Sequence, residues 1–125
     1  MAKTAKQNLP TRNQVNKFSM LKDLLASIYL EMKEFSKKKP DEPLNKFKVK
    51  NINRVLEPIK EILLHQPTIE FLDLLDEDTL PSNSDAILVI GQFTAAMERF
   101  YNKYHYYSQA ESKNRWSTVE NPIEN

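Results

Sequence analysis

Cysteine is absent from this chain of 125 residues, and glycine occurs once, at Gly91. Without cysteine there is no disulfide framework and no thiolate chemistry, which fits a reducing compartment. Hairpin turns, bulges and phosphate-binding loops depend on glycine, so an all-β fold and a P-loop are disfavoured. Long apolar runs are also missing. The longest uncharged stretch is twelve residues, 86–97, and a membrane-spanning helix needs about 20.

The sequence also has little that could carry chemistry. No zinc-binding set of Cys and His, no Ser/His/Asp motif and no nucleotide-binding fingerprint occurs in it. The first six residues lack the apolar core of a signal peptide. We therefore expect a cytoplasmic protein that is not an enzyme, with no catalytic residue, no metal, no cofactor and no small-molecule ligand.

Charge is divided unequally along the chain, although the formal total is only +1. Residues 1–60 contain 14 Lys and Arg against 6 Asp and Glu, whereas residues 61–125 contain 4 against 11. The two parts carry net charges of +8 and −7. A separation this large indicates two surfaces with different partners, or one surface that binds the other on a second copy.

Apolar side chains recur at alternating spacings of three and four residues, which is typical of amphipathic helices. Three such series occur: Phe18, Leu21, Leu25, Ile28, Met32 and Phe35; Val49, Ile52, Val55, Leu56, Ile59, Ile62 and Leu63; and Ala86, Ile90, Phe93, Met97, Phe100, Tyr104 and Tyr107. They predict an all-α fold. We expect a compact antiparallel bundle of three long helices (about 12–38, 46–65 and 84–112) and one short helix (about 67–76).

Prolines and capping residues mark the boundaries of this bundle. Residues 12–113 are expected to form one domain between a flexible basic arm (1–11) and a loose C-terminal tail (114–125). Thr11 and Gln14 have the spacing of a capping box. Pro58 lies inside the second helix, where proline removes a hydrogen bond and costs roughly 3 kcal/mol. We expect a kink between about Arg54 and Pro58, or two helices that meet there.

Lysines concentrate where the first long helix ends and the second begins. An antiparallel hairpin would bring them together, and such a cluster can neutralise phosphates in a sequence-independent, salt-sensitive way. Lysine outnumbers arginine 12 to 2 in residues 1–60, which suits backbone contact rather than base reading. The alternative is a solvated surface. The expected nucleic-acid-binding residues, called the basic cluster below, are Lys37, Lys38, Lys39, Lys46, Lys48, Lys50 and Arg54.

Acidic residues concentrate around the short helix. Asp73, Asp76, Glu77 and Asp78, called the acidic cluster below, would lie near a helix C-terminus, where negative charge is unfavourable. A protein partner would explain that placement, so we expect a protein interface there. The alternative is capping and solubility. No spacing matches a calcium-binding loop, so no metal is expected.

One pair of residues resembles a catalytic signature. Arg99 and His105 match the R-x(4–6)-H pattern of HEPN ribonucleases, which are small helical bundles that dimerise and cleave RNA. The resemblance implies that Arg99 and His105 would be the catalytic pair. Phe100 occupies the position after the arginine, where that family commonly has a polar residue. Residues six apart are also about 120° apart on a straight helix.

Together these features predict a non-catalytic subunit that binds a nucleic-acid backbone through the basic cluster and other proteins through the acidic cluster. The expected partners are RNA or single-stranded DNA and other subunits, including further copies of this chain, but no membrane. Two alternatives remain: an RNase of the HEPN type, and a helical adaptor that binds only proteins.

The size, the helical periodicity and the basic helical hairpin resemble the small subunit of class 1 CRISPR (Cascade-like) effector complexes. The stretch from 47–60 through 84–86 to 104–105 also looks like the helical C-terminal region of some large subunits in such systems. The resemblance covers about residues 15–110. It implies antiviral defence, with several copies binding crRNA-paired target or displaced strand through lysines.

Overall fold

The computed structural model describes residues 8–125 of the chain. This part is mostly helical, with three α-helices, one 3-10 helix and one two-stranded antiparallel sheet. In chain order the elements are α1 (Arg12–Lys38), α2 (Lys46–Ile62), the 3-10 helix (Pro67–Phe71), α3 (Asn83–Tyr104), β1 (His105–Ser108) and β2 (Lys113–Trp116). The predicted helical character is confirmed. The predicted all-α arrangement of three long helices and one short helix is not what forms.

Each α-helix begins at a polar side chain that caps it. Thr11 and Gln14 form the predicted capping box: the Thr11 hydroxyl accepts from the Gln14 N–H at 3.1 Å, and the Gln14 side chain accepts from the Thr11 N–H at 3.0 Å. Asn45 and Ser82 each accept from the N–H three residues on, at 2.8 and 3.1 Å. These bonds satisfy N–H groups that have no partner within the helix.

The three predicted apolar series supply most of the core, and α1 packs against both α2 and α3. Phe35 and Tyr107 are exposed, at 40% and 48%, and Ile28 and Val55 are only partly buried. The buried members of the series are Phe18, Leu21, Leu25 and Met32; Val49, Ile52, Leu56, Ile59, Ile62 and Leu63; and Ala86, Ile90, Phe93, Met97, Phe100 and Tyr104. The 3-4 spacing therefore predicted the buried faces of all three helices well.

Pro58 lies within α2, which continues without interruption from Lys46 to Ile62. The alternative of two helices meeting at Pro58 is therefore wrong. Ile59 and Ile62, which follow the proline, are buried like the apolar residues before it. Burial of one continuous apolar face outweighs the loss of a single backbone hydrogen bond.

The predicted short helix at 67–76 is wrong beyond its first five residues. A 3-10 helix spans Pro67–Phe71, and the chain after it has no regular secondary structure through residue 76. Leu72 and Leu75 are buried as expected. The backbone N–H and C=O of Leu75 are both bonded to the side chain of Asn53, at 2.9 Å each. They are therefore not used in the hydrogen bonds of a helix.

The predicted helix at 84–112 is also too long, because α3 ends at Tyr104 and a β-hairpin follows. His105, at the start of β1, pairs with Trp116 at the end of β2. Trp116 packs edge-on against Phe18 and Tyr101, with ring centroids at 5.2 and 5.4 Å. Aromatic residues suit strands as well as helices, and burial of Trp116 against α1 and α3 favours the hairpin.

The segment after the hairpin is not loose, contrary to the sequence expectation for residues 114–125. Residues 113–116 form β2, and Ile123 is only 1% exposed. The N–H of Val119 donates to the C=O of Pro10 at 2.9 Å, so this segment packs against the residues that precede α1. Residues 1–7, most of the predicted basic arm, lie outside the described residues.

Across the described residues, no helix combines the length and the apolar character needed to cross a membrane.

Candidate nucleic-acid interface

The connection between α1 and α2 is held in place by the beginning of α3. The Asn83 side chain donates to the C=O of Lys39 at 2.8 Å, and its backbone N–H donates to the C=O of Glu42 at 2.9 Å. The N–H of Leu44 donates to the C=O of Pro81 at 2.9 Å. Asn83 is 4% exposed. These shielded bonds fix the connector and thereby the relative position of the two groups of lysines that flank it.

The structure brings the two groups of lysines to one end of the helical layer. The Lys48 ammonium lies 4.2 Å from the centroid of the Phe35 ring, so the last turns of α1 and the first turn of α2 lie side by side. Lys48 is half-buried, and the other six members of the basic cluster are exposed. Because exposed cationic groups can reach a ligand without rearrangement, these six side chains present an accessible cationic surface.

Few acidic groups oppose this surface. Residues 33–54 contain eight Lys and Arg and three Asp and Glu. Lys37 lies 3.8 Å from Glu34, and Lys39 lies 3.5 Å from Glu42, with all four side chains more than half exposed. Exposed ion pairs of this kind contribute about 0–1 kcal/mol, so a phosphate can displace them. The surface therefore keeps a positive potential.

The N-terminus of α2 adds to that potential. Its first turn contains no acidic residue, and the aligned peptide dipoles of a helix place partial positive charge at this end. Phe47 projects from the same turn and is 74% exposed. Phe47 belongs to no apolar series, so helical periodicity does not single it out. Its position between Lys46 and Lys48 is the signal that could have identified it.

Arg54 marks the boundary between the two clusters. Lys50 and Arg54 line a depression of about 370 Å³ together with Glu57 and Glu77. The acidic segment reaches this point because the Asn53 side chain binds the backbone of Leu75. The two clusters are therefore neighbours on one molecule, and the charge of Arg54 is partly offset by these carboxylates.

Within the acidic cluster, Asp76 has a local role. Its carboxylate accepts hydrogen bonds from the backbone N–H groups of Asp78 at 2.8 Å and Thr79 at 3.3 Å. These bonds favour the charged form and lower the pKa of Asp76 below its ordinary value. Asp73, Glu77 and Asp78 are exposed. Asp76 is exposed as well, so all four residues are placed where a partner could reach them.

Arg99 and His105 lie in different surroundings. Arg99 is exposed on α3 beside Gln66, Thr68 and Lys103, which line a depression of about 370 Å³. The His105 ring stacks on Tyr101, with centroids 4.4 Å apart, and meets Trp116 edge-on at 5.8 Å. The contacts of His105 are thus with neighbouring aromatic rings. The interpretation of Arg99 and His105 as a HEPN catalytic pair remains a prediction.

In the part of the chain that the structure describes, no three His, Asp or Glu side chains are grouped so that they could hold a metal ion. No protein-family model, curated protein or solved structure is detectably similar to this chain. The case for a function therefore rests on the residues of the chain itself, and above all on the basic cluster.

Proposed function

We propose that this protein is a non-catalytic cytoplasmic subunit that binds the phosphate backbone of RNA or single-stranded DNA through the basic cluster. The observation that supports the proposal best is the cationic surface at the junction of α1 and α2, where buried hydrogen bonds of Asn83 fix the connector. Because the backbone of the connector is already fixed, it needs little ordering when the lysines bind a polyanion.

Lysine ammonium groups act as mobile point charges, so they neutralise phosphates without reading bases. Binding releases counterions, and affinity falls as salt rises. The dipole of α2 favours a phosphate near the residues that follow Asn45. Arg54 contributes less than the lysines, because Glu57 and Glu77 border the same depression.

The second part of the proposal is that the acidic cluster binds other protein subunits. Phe71 is 63% exposed beside Glu70 and Asp73, which gives this surface an apolar contact within a negative rim, as protein interfaces often have. A basic surface on another subunit, including a second copy, would complement it. The resemblance to small subunits of class 1 CRISPR complexes agrees with both parts and remains a prediction.

The proposal is tested by measuring the affinity of a fluorescent single strand over a range of salt concentrations. We expect binding at about 50 mM salt and a steep loss of affinity as salt rises. Lys46→Gln with Lys50→Gln should weaken binding to all sequences alike and reduce the slope of log K against log salt by up to about 1.4, since each lost single-strand contact removes about 0.7.

The matched control is Lys22→Gln with Lys113→Gln, which removes the same charge from α1 and the hairpin, outside the basic cluster. The control should leave the slope unchanged. Equal losses in the two double variants would show that total charge, not the basic cluster, drives binding. Absence of binding by the unmodified protein at low salt would exclude the nucleic-acid function and leave the adaptor that binds only proteins.

A further inference from the structure

Phe47 is an exposed aromatic side chain within the basic cluster. It occupies the first turn of α2 and is 74% exposed. On a helix, residues three, four and seven positions further on share its face, and these are Lys50, Asn51 and Arg54. The Asn51 side chain donates to the C=O of Phe47 at 3.1 Å. The ring is therefore bordered by cations along the helix and is open to solvent.

Phe35, the other aromatic residue at the basic cluster, is partly covered by a lysine. Phe35 is 40% exposed, and the Lys48 ammonium lies over its ring at 4.2 Å. That cation–π contact covers part of Phe35 and holds the two helices together. In the described residues of the cluster, Phe47 is thus the aromatic side chain that presents most of its surface to a ligand.

We infer that Phe47 stacks on an unpaired base, so that the basic cluster prefers single-stranded to double-stranded nucleic acid. The inference rests on the proposed function and deepens it by defining the substrate class. Stacking on an aromatic side chain is worth about 5- to 100-fold in affinity per base in single-strand binding proteins. In a duplex the bases are already stacked on one another, and a ring on a convex helix meets only backbone and groove edges.

Charge supports a nucleic acid as the occupant of this surface. A purely apolar protein partner would leave the surrounding lysine charges uncompensated, whereas a single strand supplies a phosphate for each nucleotide beside each base. Phe47 with Lys50 and Arg54 on the same face of α2 matches that pairing of charge and ring. An acidic peptide with an apolar residue is the other chemistry that would suit the surface, and it serves as a competitor in the test.

The test compares affinities for a 12-nucleotide single strand and for the duplex of the same sequence at one salt concentration. Phe47→Ala should weaken single-strand binding by about 5- to 100-fold and change duplex binding by less than about twofold. Its salt slope should stay unchanged, because no charge is lost. Phe47→Tyr should restore most of the affinity, whereas Phe47→Leu, which is apolar without a π face, should not.

Phe71→Ala is the matched control, because Phe71 is similarly exposed, at 63%, but lies in the acidic region. It should alter neither affinity. As an independent readout, the fluorescence of Phe47→Trp should be quenched by the single strand beyond the background of Trp116. Because both phenylalanines are exposed, unfolding midpoints should match that of the unmodified protein.

The outcomes separate this inference from the proposed function. If the unmodified protein binds no nucleic acid, the proposed function itself fails. If it binds single strand and duplex equally, or if Phe47→Ala weakens both to the same extent, backbone binding stands and stacking is excluded. The remaining outcome is that an acidic peptide of the same charge as the single strand displaces it, and does so only when Phe47 is present. That result would assign the surface to a protein partner instead.

Discussion

Asn53 shows at the scale of a single residue how a buried polar side chain determines the path of a neighbouring segment. It lies on the buried face of α2, is 7% exposed, and bonds both the N–H and the C=O of Leu75 at 2.9 Å. The amide thereby takes up the Leu75 N–H, which a helix at 67–76 would have bonded to the C=O of Phe71, and also fixes the Leu75 C=O. The sequence predicted that helix because the spacing of Ile69, Leu72 and Leu75 is compatible with one.

Replacement of Asn53 should destabilise the protein more than replacement of other asparagines on α2. Asn53→Ala leaves two buried backbone groups without partners, so we expect the free energy of unfolding to fall by about 2–4 kcal/mol. Asn51→Ala is the control, because that side chain is bonded only to the backbone of Phe47 at the surface, and it should cost less than about 0.5 kcal/mol. Urea unfolding measures both, and equal midpoints would contradict the prediction.

Asp76 should make stability depend on pH at the acidic end of the range. Its pKa is lowered from 3.8 by hydrogen bonds from the backbone N–H groups of Asp78 and Thr79. A carboxyl whose pKa is lower in the folded state than in the unfolded state stabilises the folded protein at pH values above the unfolded pKa. That contribution is lost as the pH falls through the folded pKa. As the pH is lowered below 3.8, the Asp76→Asn variant should therefore lose less of its free energy of unfolding than the unmodified protein does. Thermal unfolding at several pH values tests this, and parallel curves would count against it.

At the scale of elements, the helices and the hairpin differ in how far local sequence determines them. Each α-helix starts at a polar side chain that caps it, and the predicted capping box of Thr11 and Gln14 forms. The end of α3 has no such local signal. Tyr104 and Tyr107 continue the 3-4 spacing, yet α3 stops at Tyr104 because Trp116 pairs with His105 and packs on Phe18. Helical periodicity concerns residues close in sequence, so it cannot predict a contact this far along the chain.

Gly91 offers a test of helix propensity within α3. It lines a groove of about 520 Å³ between α1 and α3, with Ala26 and Ala95 among its neighbours. Apart from Gly91 itself, its two chain neighbours and the adjacent backbone of α3, no atom of the described residues lies within 4 Å of the position that a Cβ would take. Gly91→Ala should therefore raise the free energy of unfolding by about 0.5–1 kcal/mol, since alanine loses less backbone entropy in a helix.

The reverse substitution at a matched site is Ala95→Gly, one turn further along the same groove, which should lower stability by a similar amount. Denaturant titration of the two variants gives opposite shifts of the midpoint if propensity dominates. If the unfolding midpoint of Gly91→Ala were instead lower, the added methyl group would be meeting something that fills the groove in the folded protein.

At the scale of the whole molecule, the basic cluster and the acidic cluster are neighbours on one surface and meet at a boundary. The basic cluster lies at the α1–α2 junction, and the aromatic contacts of Phe18 with Trp116 lie toward the other end of α1. Phe18 and Phe35 are separated by 17 residues, or about 25 Å along a helix. The acidic segment meets the basic one around Lys50 and Glu77, so the two clusters are adjacent and not at opposite poles.

The segment after β2 should contribute to global stability, contrary to its polar composition. Ile123 is 1% exposed, and its N–H donates to the hydroxyl of Ser117 at 2.9 Å. Ile123→Ala should lower the free energy of unfolding by roughly 2–4 kcal/mol, since it leaves a cavity in a packed site. Val119→Ala, at a position 59% exposed, is the control and should change it by less than about 0.5 kcal/mol. Similar effects in both variants would show that the segment does not pack as a unit.

The sequence by itself determined the helical class, the caps and the buried faces of α1, α2 and α3, because caps and 3-4 spacing are local properties of the chain. It also indicated the basic cluster, since seven cations flank one connector. Only the tertiary structure decided the hairpin, the non-helical segment at Leu75 and the packed residue Ile123. Each of these depends on contacts between residues far apart in sequence: Trp116 with Phe18, Asn53 with Leu75, and Val119 with Pro10.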